Sequence, residues 1–300
     1  MNRPGLDGNP LELTPGWFND LFETIGIDAD VKGLTAKAIG TGQIGENVRF
    51  VFDYARKGEG APDTLVGKFP SGSEASLATA RMLGHYKREV MFYRTFPKVA
   101  GKITPGALYT DYDDATNRFA LIMEDMAPSE QGDQLKGCSV AEAELALASA
   151  AILHAAYWQD ESLDQHDWLQ GTEAAPPPAL TPEQVSGLWT GFKERYKAQL
   201  TSDVIEVGDL YSAALPRWSE AHEGPFALTH NDFRLDNMLF GKPGAPKPIA
   251  LVDWQTAAKG APANDVAYFI GAGLTREERP KHEKALLRFY HDRLTDAGVS

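Results

Sequence analysis

The run His230-Asn231-Asp232-Phe233-Arg234-Leu235-Asp236-Asn237 reads H-x-D-x-x-x-x-N, and the apolar strand Ile249-Ala250-Leu251-Val252 leads into a second acid, Asp253. An acid that takes the proton of a hydroxyl, an amide five residues on and an acid closing the next strand form a minimal kit. It suffices to move a phosphoryl group from a magnesium nucleotide. In that reading Asp232 is the general base, and Asn237 and Asp253 hold Mg2+. Each residue alone has a plainer reading: a lone Asp before an apolar residue turns or caps the chain, and an Asn before a strand closes a loop. The spacing and the strand-ending acid occurring together favour the chemical reading.

The upstream half of such a machine is also present. Gly40-Thr41-Gly42-Gln43-Ile44-Gly45 spells G-x-G-x-x-G, a pattern that also fits a dinucleotide-binding turn. A dinucleotide fold needs a helix after the glycines, whereas Val48, Phe50, Phe52 and Tyr54 alternate as a strand. A strand-loop-strand hairpin with Gly40, Gly42 and Gly45 covering phosphates is the better fit. Asn47 stands where an apolar residue is expected two after the last glycine, and Val48 comes one later. Lys68 lies inside the apolar run Leu65-Val66-Gly67-Lys68-Phe69. It either points to solvent from an edge strand or reaches the α- and β-phosphates, held by an acid on the next helix, since a buried charge needs a partner. Glu89, beside Val90 on that helix's apolar stripe, is the better candidate; Glu74 falls in the first turn and complements the helix dipole.

The elements that must position these residues can be read from periodicity. Thr14-Pro15 starts a short helix to about residue 25. Strands are expected over 32–39, 47–55 and 64–69, then one helix over 73–96 with the stripe Leu83, Tyr86, Val90 and Tyr93. Two more strands follow over 108–112 and 118–123. Residues 121–126 then run into a link where Glu124 and Met126 would border the nucleotide base, with Met123 beside them. Beyond it the pattern turns helical: 139–158, opened by a Ser139/Glu142 capping box, then 182–199, 207–222, 262–274 and 276–297. The expected architecture is α+β, with a small antiparallel sheet lobe at 1–127 and a larger, mainly helical lobe at 128–300.

Composition narrows the partners. With 29 Lys plus Arg against 42 Asp plus Glu, the net charge of −13 speaks against nucleic acid and anionic membranes, which need basic surfaces. One cysteine, Cys138, leaves no internal disulfide and points to a reducing cytoplasm. The first 15 residues are polar and rich in Pro and Gly, unlike a secretory leader. The apolar helix near residues 145–158 carries Glu144, Ser149 and His154 and is too short and polar to span a bilayer.

The whole chain resembles the aminoglycoside phosphotransferase and choline kinase superfamily of small-molecule kinases, over about residues 34–269. The segment 228–239 together with Leu251-Val252-Asp253-Trp254-Gln255 is most similar to the ecdysteroid-kinase-like branch. The resemblance implies a two-lobed protein-kinase-like fold, ATP and Mg2+ as cofactors and a small-molecule hydroxyl as acceptor. It carries Asp232 over as base and Asn237 and Asp253 as metal ligands. His230 is expected to support the packing of the loop. Asp265 corresponds to a later family acid that braces the catalytic loop; an exposed Asp at a helix start after Pro262 is the equal alternative. Gln255 replaces a second acid of many antibiotic kinases, which argues against an aminoglycoside acceptor. Many relatives also run further at the C-terminus, past the position of Ser300.

Two rivals follow. A non-catalytic nucleotide-binding protein would tolerate loss of Lys68, Asp232 or Asp253, and all three types are kept. A protein kinase needs a long activation segment, yet only eleven residues separate Asp253 from Asp265. For the acceptor, Trp158, Trp168, Trp189 and Trp218, with Phe192, Tyr196 and Tyr211, offer aromatic faces for a sterol, another lipophilic alcohol or a sugar. Packing between long helices is their alternative role, and nearby acids would suit an amine.

Overall fold

The computed structural model describes residues 9–40, 45–170, 182–220 and 224–299. Helix α1 (Pro15–Thr24) begins where the Thr14 side chain accepts the Trp17 N–H and Pro15 needs no donor. It buries Trp17, Phe18, Leu21 and Phe22. Their seat is one face of a sheet built from β1 (Ala29–Ile39), β2 (Gly45–Lys57), β3 (Thr64–Pro70), β4 (Ala107–Asp113) and β5 (Arg118–Glu124). The strand order is β1-β2-β3-β5-β4, and every neighbouring pair is antiparallel. The period-2 pattern of β2 sets its faces: Val48, Phe50 and Phe52 are buried, and the Phe18 ring meets Phe50 and Phe52 at 5.0 and 4.8 Å between centroids.

The single helix expected over 73–96 is two helices. α2 (Glu74–Leu83) ends and α3 (His85–Thr95) begins at Gly84, which has φ 66°. The Gly84 N–H closes back on the Ala80 and Arg81 carbonyls, and a left-handed residue in that place ends a helix cheaply only when it is glycine. The break lets α3 turn its apolar face, Tyr86, Val90, Phe92 and Tyr93, into the larger core. That core also takes Phe119, Leu121 and Met123 from β5, so α3 and the sheet's second face join the helical half directly.

The helical half contains α4 (Val140–Ala156), α5 (Asp167–Gln170), α6 (Pro182–Tyr196), α7 (Ser202–Glu220), α8 (Pro262–Gly273) and α9 (Arg279–Asp296). α4 opens with the capping box: Glu142 N–H donates to Ser139 Oγ at 3.2 Å, and Ser139 N–H donates to Glu142 Oε2 at 2.8 Å. It packs against α8 and α9. Short strands lie beside it: β6 (Glu130–Gln131), β7 (Ala227–Thr229), β8 (Met238–Phe240), β9 (Ile249–Leu251) and β10 (Ala258–Gly260). β6-β8-β9 form one antiparallel ladder and β10-β7 another. These ladders hold the segment 230–237 between β7 and β8 and place Asp253 just past β9. Among the described residues no helix is long and apolar enough to cross a membrane.

The link between the halves is tied at both ends. Arg49 on β2 grips Asp125 with Nε at 2.7 Å from Oδ2 and Nη2 at 3.0 Å from Oδ1. At the other end Gly132 N–H donates to the Met238 carbonyl at 2.9 Å, and a Cβ on Gly132 would lie 2.5 Å from the Leu235 carbonyl oxygen. Backbone meets backbone there, so Gly132→Ala must push the 230–237 loop away. We expect a loss of about 1–3 kcal/mol in chemical denaturation. Gly187→Ala, in α6 with nothing within 4 Å of the added carbon, is the control and should gain up to about 1 kcal/mol from helix propensity.

Candidate active site

Lys68 extends from β3 between two carboxylates that come from different parts of the fold. Its Nζ lies 2.8 and 2.7 Å from the two oxygens of Glu89 on α3, and 2.9 Å from Asp253 Oδ1. Glu89 is only 2% exposed, so Lys68 is the buried cation's answer to a buried acid. Burial alone would lower the Lys68 pKa, but Asp253 and Glu89 outweigh it and hold the ammonium well above the ordinary lysine range. Burial likewise raises Asp253, and the Lys68 charge and hydrogen bond overcome it and keep the carboxyl below its usual value. Both groups are charged at neutral pH.

Asp253 stands in the left-handed region with φ 68° and ψ 65°. Asn and Asp tolerate that region better than most side chains, and here it turns the carboxylate back toward β3. Gln255 Nε2 donates to the other oxygen, Oδ2, at 3.1 Å. The following Trp254 is fully buried and stacks on Phe92 of α3, with centroids 3.7 Å apart and planes 7° off parallel. That stack locks the Asp253 turn to the helix that carries Glu89.

Asp232 and Asn237 lie side by side in the loop after β7. Asn237 Nδ2 donates to the Asp232 carbonyl at 2.9 Å and to its Oδ2 at 2.8 Å. Its amide nitrogen is thereby committed to Asp232, leaving the amide oxygen as the atom for a cation. Arg234 Nε sits 3.2 Å from Asp232 Oδ1, and Arg234 Nη1 reaches Asp236 Oδ2 at 2.9 Å. The Tyr268 phenol on α8 is close enough for Asp232 to influence it: burial first, then the Asp232 charge, raises its pKa.

The loop is braced from below by Asp265, which is 1% exposed; the exposed helix-start alternative does not hold. Its Oδ2 accepts the His230 N–H and its Oδ1 the Asn231 N–H, both at 2.8 Å. Asn231 needs this support because it has φ 63°. Behind Asp265 stand His154 Nε2 at 3.2 Å and, beyond it, Tyr290 OH at 2.7 Å from His154 Nδ1. Burial would raise the Asp265 pKa; the hydrogen bonds from His154 and from the His230 amide outweigh it and hold it below the ordinary aspartate value. The His230 ring donates from Nε2 to the Val252 carbonyl at 3.0 Å and so accepts the Asp232 N–H at Nδ1, 3.3 Å away. His230 thereby ties the Asp232 loop to the strand end that carries Asp253.

The other expected residues are placed as follows. Gly40 has φ 72°. A Cβ on Gly45 would lie 3.0 Å from the Phe69 carbonyl and 3.4 Å from Lys68 Cε, so the glycine segment ends against Lys68. Gly42 lies outside the described residues. Met126 is buried. The Glu124 side chain is taken up by the Gly106 N–H at 2.8 Å and Lys247 Nζ at 2.9 Å, leaving its backbone for any ligand. Trp189 donates to Asp209 between α6 and α7 at 2.7 Å, and Phe192 and Tyr211 on these helices are exposed; the Trp218 side chain lies outside the described ones. Sequence reasoning missed Arg234, which stood in plain view two residues from Asp232. It also missed the His154–Tyr290 pair, for which an ionisable ring inside an apolar helix was the one signal.

This arrangement, a five-stranded sheet and a helical half meeting at a Lys–Glu–Asp cluster, is the protein-kinase-like fold. The streptomycin–ATP complex of APH(2")-IIa, an aminoglycoside phosphotransferase, superposes with a TM-score of 0.51 at 16% identity, covering 95% of this chain and 88% of that one. The gentamicin complex of APH(2")-IIa gives 0.51 at 17% identity, covering 95% and 86%. Residues 47–298 match the ecdysteroid kinase-like family, and the chain belongs to it. The chain is homologous to small-molecule phosphotransferases that act on hydroxyl groups. In sequence, 90 residues are 34% identical to acyl-CoA dehydrogenase family member 10 of Mus musculus, 29% of this chain but only 8% of that much longer protein.

The Asp265 brace makes a pH prediction. A carboxyl whose folded pKa lies below its unfolded value of about 3.9 contributes stability above that value, and the contribution is lost as pH falls through the folded pKa. Asp265→Asn should lower stability by about 1–3 kcal/mol at pH 7. The gap to the parent should close as denaturation is repeated from pH 4 downward; a constant gap would remove the ionised carboxylate from the account.

Proposed function

We propose that the protein transfers the γ-phosphoryl group of ATP to a hydroxyl of a small molecule, with Asp232 as general base. The observation that carries this reading is the double hold on Lys68. A cation fixed by Glu89 and Asp253 at once has the stance needed to meet nucleotide phosphates, and Asp232 and Asn237 lie on the loop bonded to the same strand end. In this reading 1–127 is the nucleotide-binding lobe and 128–300 the catalytic and acceptor lobe. Gly40, Gly42 and Gly45 cover the phosphates, and the backbone around Glu124 and Met126 borders the base.

Asn237 and Asp253 fit Mg2+, since both offer hard oxygen donors: an amide oxygen left over from the Asp232 bonds and an ionised carboxylate. Among the described residues no three His, Cys, Asp or Glu side chains cluster for a metal, which suits an ion that shares its ligands with phosphate oxygens. When bound, the ion would neutralise charge on the transferring group. The chain's own residues do the rest. Lys68 orients phosphate oxygens, Asn237 aims Asp232, and Arg234, 3.2 Å from Asp232 Oδ1, helps fix that carboxylate where it would take the hydroxyl proton. The short stretch from Asp253 to Asp265 holds one 3-10 turn and β10 and leaves no long platform for a polypeptide, which favours a small acceptor over a protein one. A cytoplasmic site of action agrees with the lone Cys138.

Asp232→Asn should lower turnover by about 10²–10⁴-fold, the usual worth of general-base help, while calorimetry finds nucleotide affinity unchanged. An ADP-release screen over sterols, amino alcohols, sugars and aminoglycosides, with this variant as blank, identifies the acceptor. Asp253→Ala should instead weaken Mg-nucleotide binding at least tenfold in the same calorimeter; unchanged affinity would take Asp253 out of the metal site.

A further inference from the structure

Arg49 lies on the sheet face that looks toward the helical half. Alternation along the strands assigns the faces. Val48, Phe50 and Phe52 pack with α1, as do Leu65 and Phe69 of β3 and Ala120 and Ile122 of β5. Asn47 and Arg49, Val66 and Lys68, and Leu121 and Met123 therefore point the other way, where Leu121 and Met123 join the helical core. The registers align them in two rows across the strands: Asn47-Lys68-Leu121 and Arg49-Val66-Met123. The second row lies between Lys68 and the link at 124–126.

The Arg49 guanidinium reaches Asp125, two residues beyond Met123. Paired residues on neighbouring strands sit about 5 Å apart, and β3 separates β2 from β5, so the ion pair spans β3 beside Val66. Nε and Nη2 both serve Asp125, and two bonds to one carboxylate fix the plane of the group. The Asp125 side chain is 4% exposed, and its Oδ1 also accepts the Ala127 N–H at 3.0 Å. The Arg49 side chain keeps 36% exposure. The carboxylate is closed in by the fold, and the arginine is the member of the pair that a ligand can reach. A planar delocalised cation stacks on aromatic rings as an ammonium does not.

We propose that Arg49 is the base-recognising residue of the nucleotide site, with a purine stacked on the guanidinium that Asp125 holds in place. The inference rests on the phosphotransfer reading: with phosphates at Lys68 and the base edge at 124–126, the base crosses the Arg49-Val66-Met123 row. Val66 and Met123 are the apolar neighbours of the cation in that row. A purine covers more of the guanidinium than a pyrimidine does, so the site discriminates by ring size.

Calorimetric titration with Mg-ATP, Mg-GTP, Mg-CTP and Mg-tripolyphosphate tests this. The parent should bind the two purine nucleotides more tightly than CTP. Arg49→Lys keeps the charge and loses the plane. It should weaken ATP and GTP about tenfold, CTP less, and tripolyphosphate not at all. Arg49→Met alone would strand the buried Asp125 carboxylate, so it is combined with Asp125→Asn, which keeps an acceptor for the Ala127 N–H. This double variant should show the same pattern. Unchanged purine affinity in both variants would overturn the assignment. So would an equal loss for all three nucleotides, which puts Arg49 at the ribose, or a loss that includes tripolyphosphate, which puts it at the phosphates or makes it only a tie. If the parent binds none of the four ligands, the phosphotransfer reading itself fails and Arg49 with it. A parent that binds all four while the variants match it sinks the Arg49 assignment alone.

Discussion

Most of this structure can be referred to one cation. Lys68 is a charged residue in the middle of a buried strand, and it is tolerable only because carboxylates from two other elements reach it. Each has a structural precondition. For Glu89 to face β3, α3 must break away from α2, and Gly84 supplies the break with a backbone angle other residues resist. For Asp253 to point back, its own backbone must adopt the left-handed region, which costs about 1–3 kcal/mol unless the surroundings enforce it. The Trp254–Phe92 stack and the Gln255 hydrogen bond are that enforcement. Removing Lys68 would leave the buried Glu89 carboxylate facing the partly exposed Asp253 carboxylate with no cation between them, so the cluster stands or falls as a unit.

A second polar layer lies beneath the first and does a different job. Asp265, His154 and Tyr290 are buried, and they touch the Asp232 loop only through the backbone N–H groups of His230 and Asn231. Fixing a loop by its amides leaves its side chains free to present outward. The His230 ring then carries that rigidity across to the Val252 carbonyl, so the position of Asp232 relative to Asp253 is set by hydrogen bonds and not by loop length. The link to the sheet half is similarly doubled, with the Arg49–Asp125 fork at one end and the Gly132 contact at the other.

Periodicity and spacing made a large part of this legible. The alternation of Val48, Phe50 and Phe52 gave β2 its buried face, and the position of Glu89 beside Val90 singled it out over Glu74, whose place in the first turn of α2 is now plain. What local pattern could not carry was anything set by a distant partner or a single backbone angle. Gly84 sits inside a continuous helical stripe, and only its φ separates a pause from a break. Asp265 was evenly divided between a brace and an exposed cap because its burial, which settles it, depends on His154 of α4, 111 residues away in sequence, and on the Tyr290 of α9 behind it. Arg234 was overlooked because nearby charges in a loop are usually solvated, and its bond to Asp232 depends on the turn between them.

Arg88 and Glu89 show how one helix can divide its duties. A single residue step on an α-helix rotates the side chain by about 100°, so neighbours in sequence serve different walls. Glu89 turns to β3 and finds Lys68, and the pair is closed. Arg88 turns to α5, where its Nε donates to the Trp168 carbonyl, which orients a guanidinium without neutralising it. The contrast is one of charge balance under equal burial: the acid on this helix is matched by protein and the base is not. A chain whose net charge is −13 has no shortage of carboxylates, yet none is spent on Arg88 among the described residues.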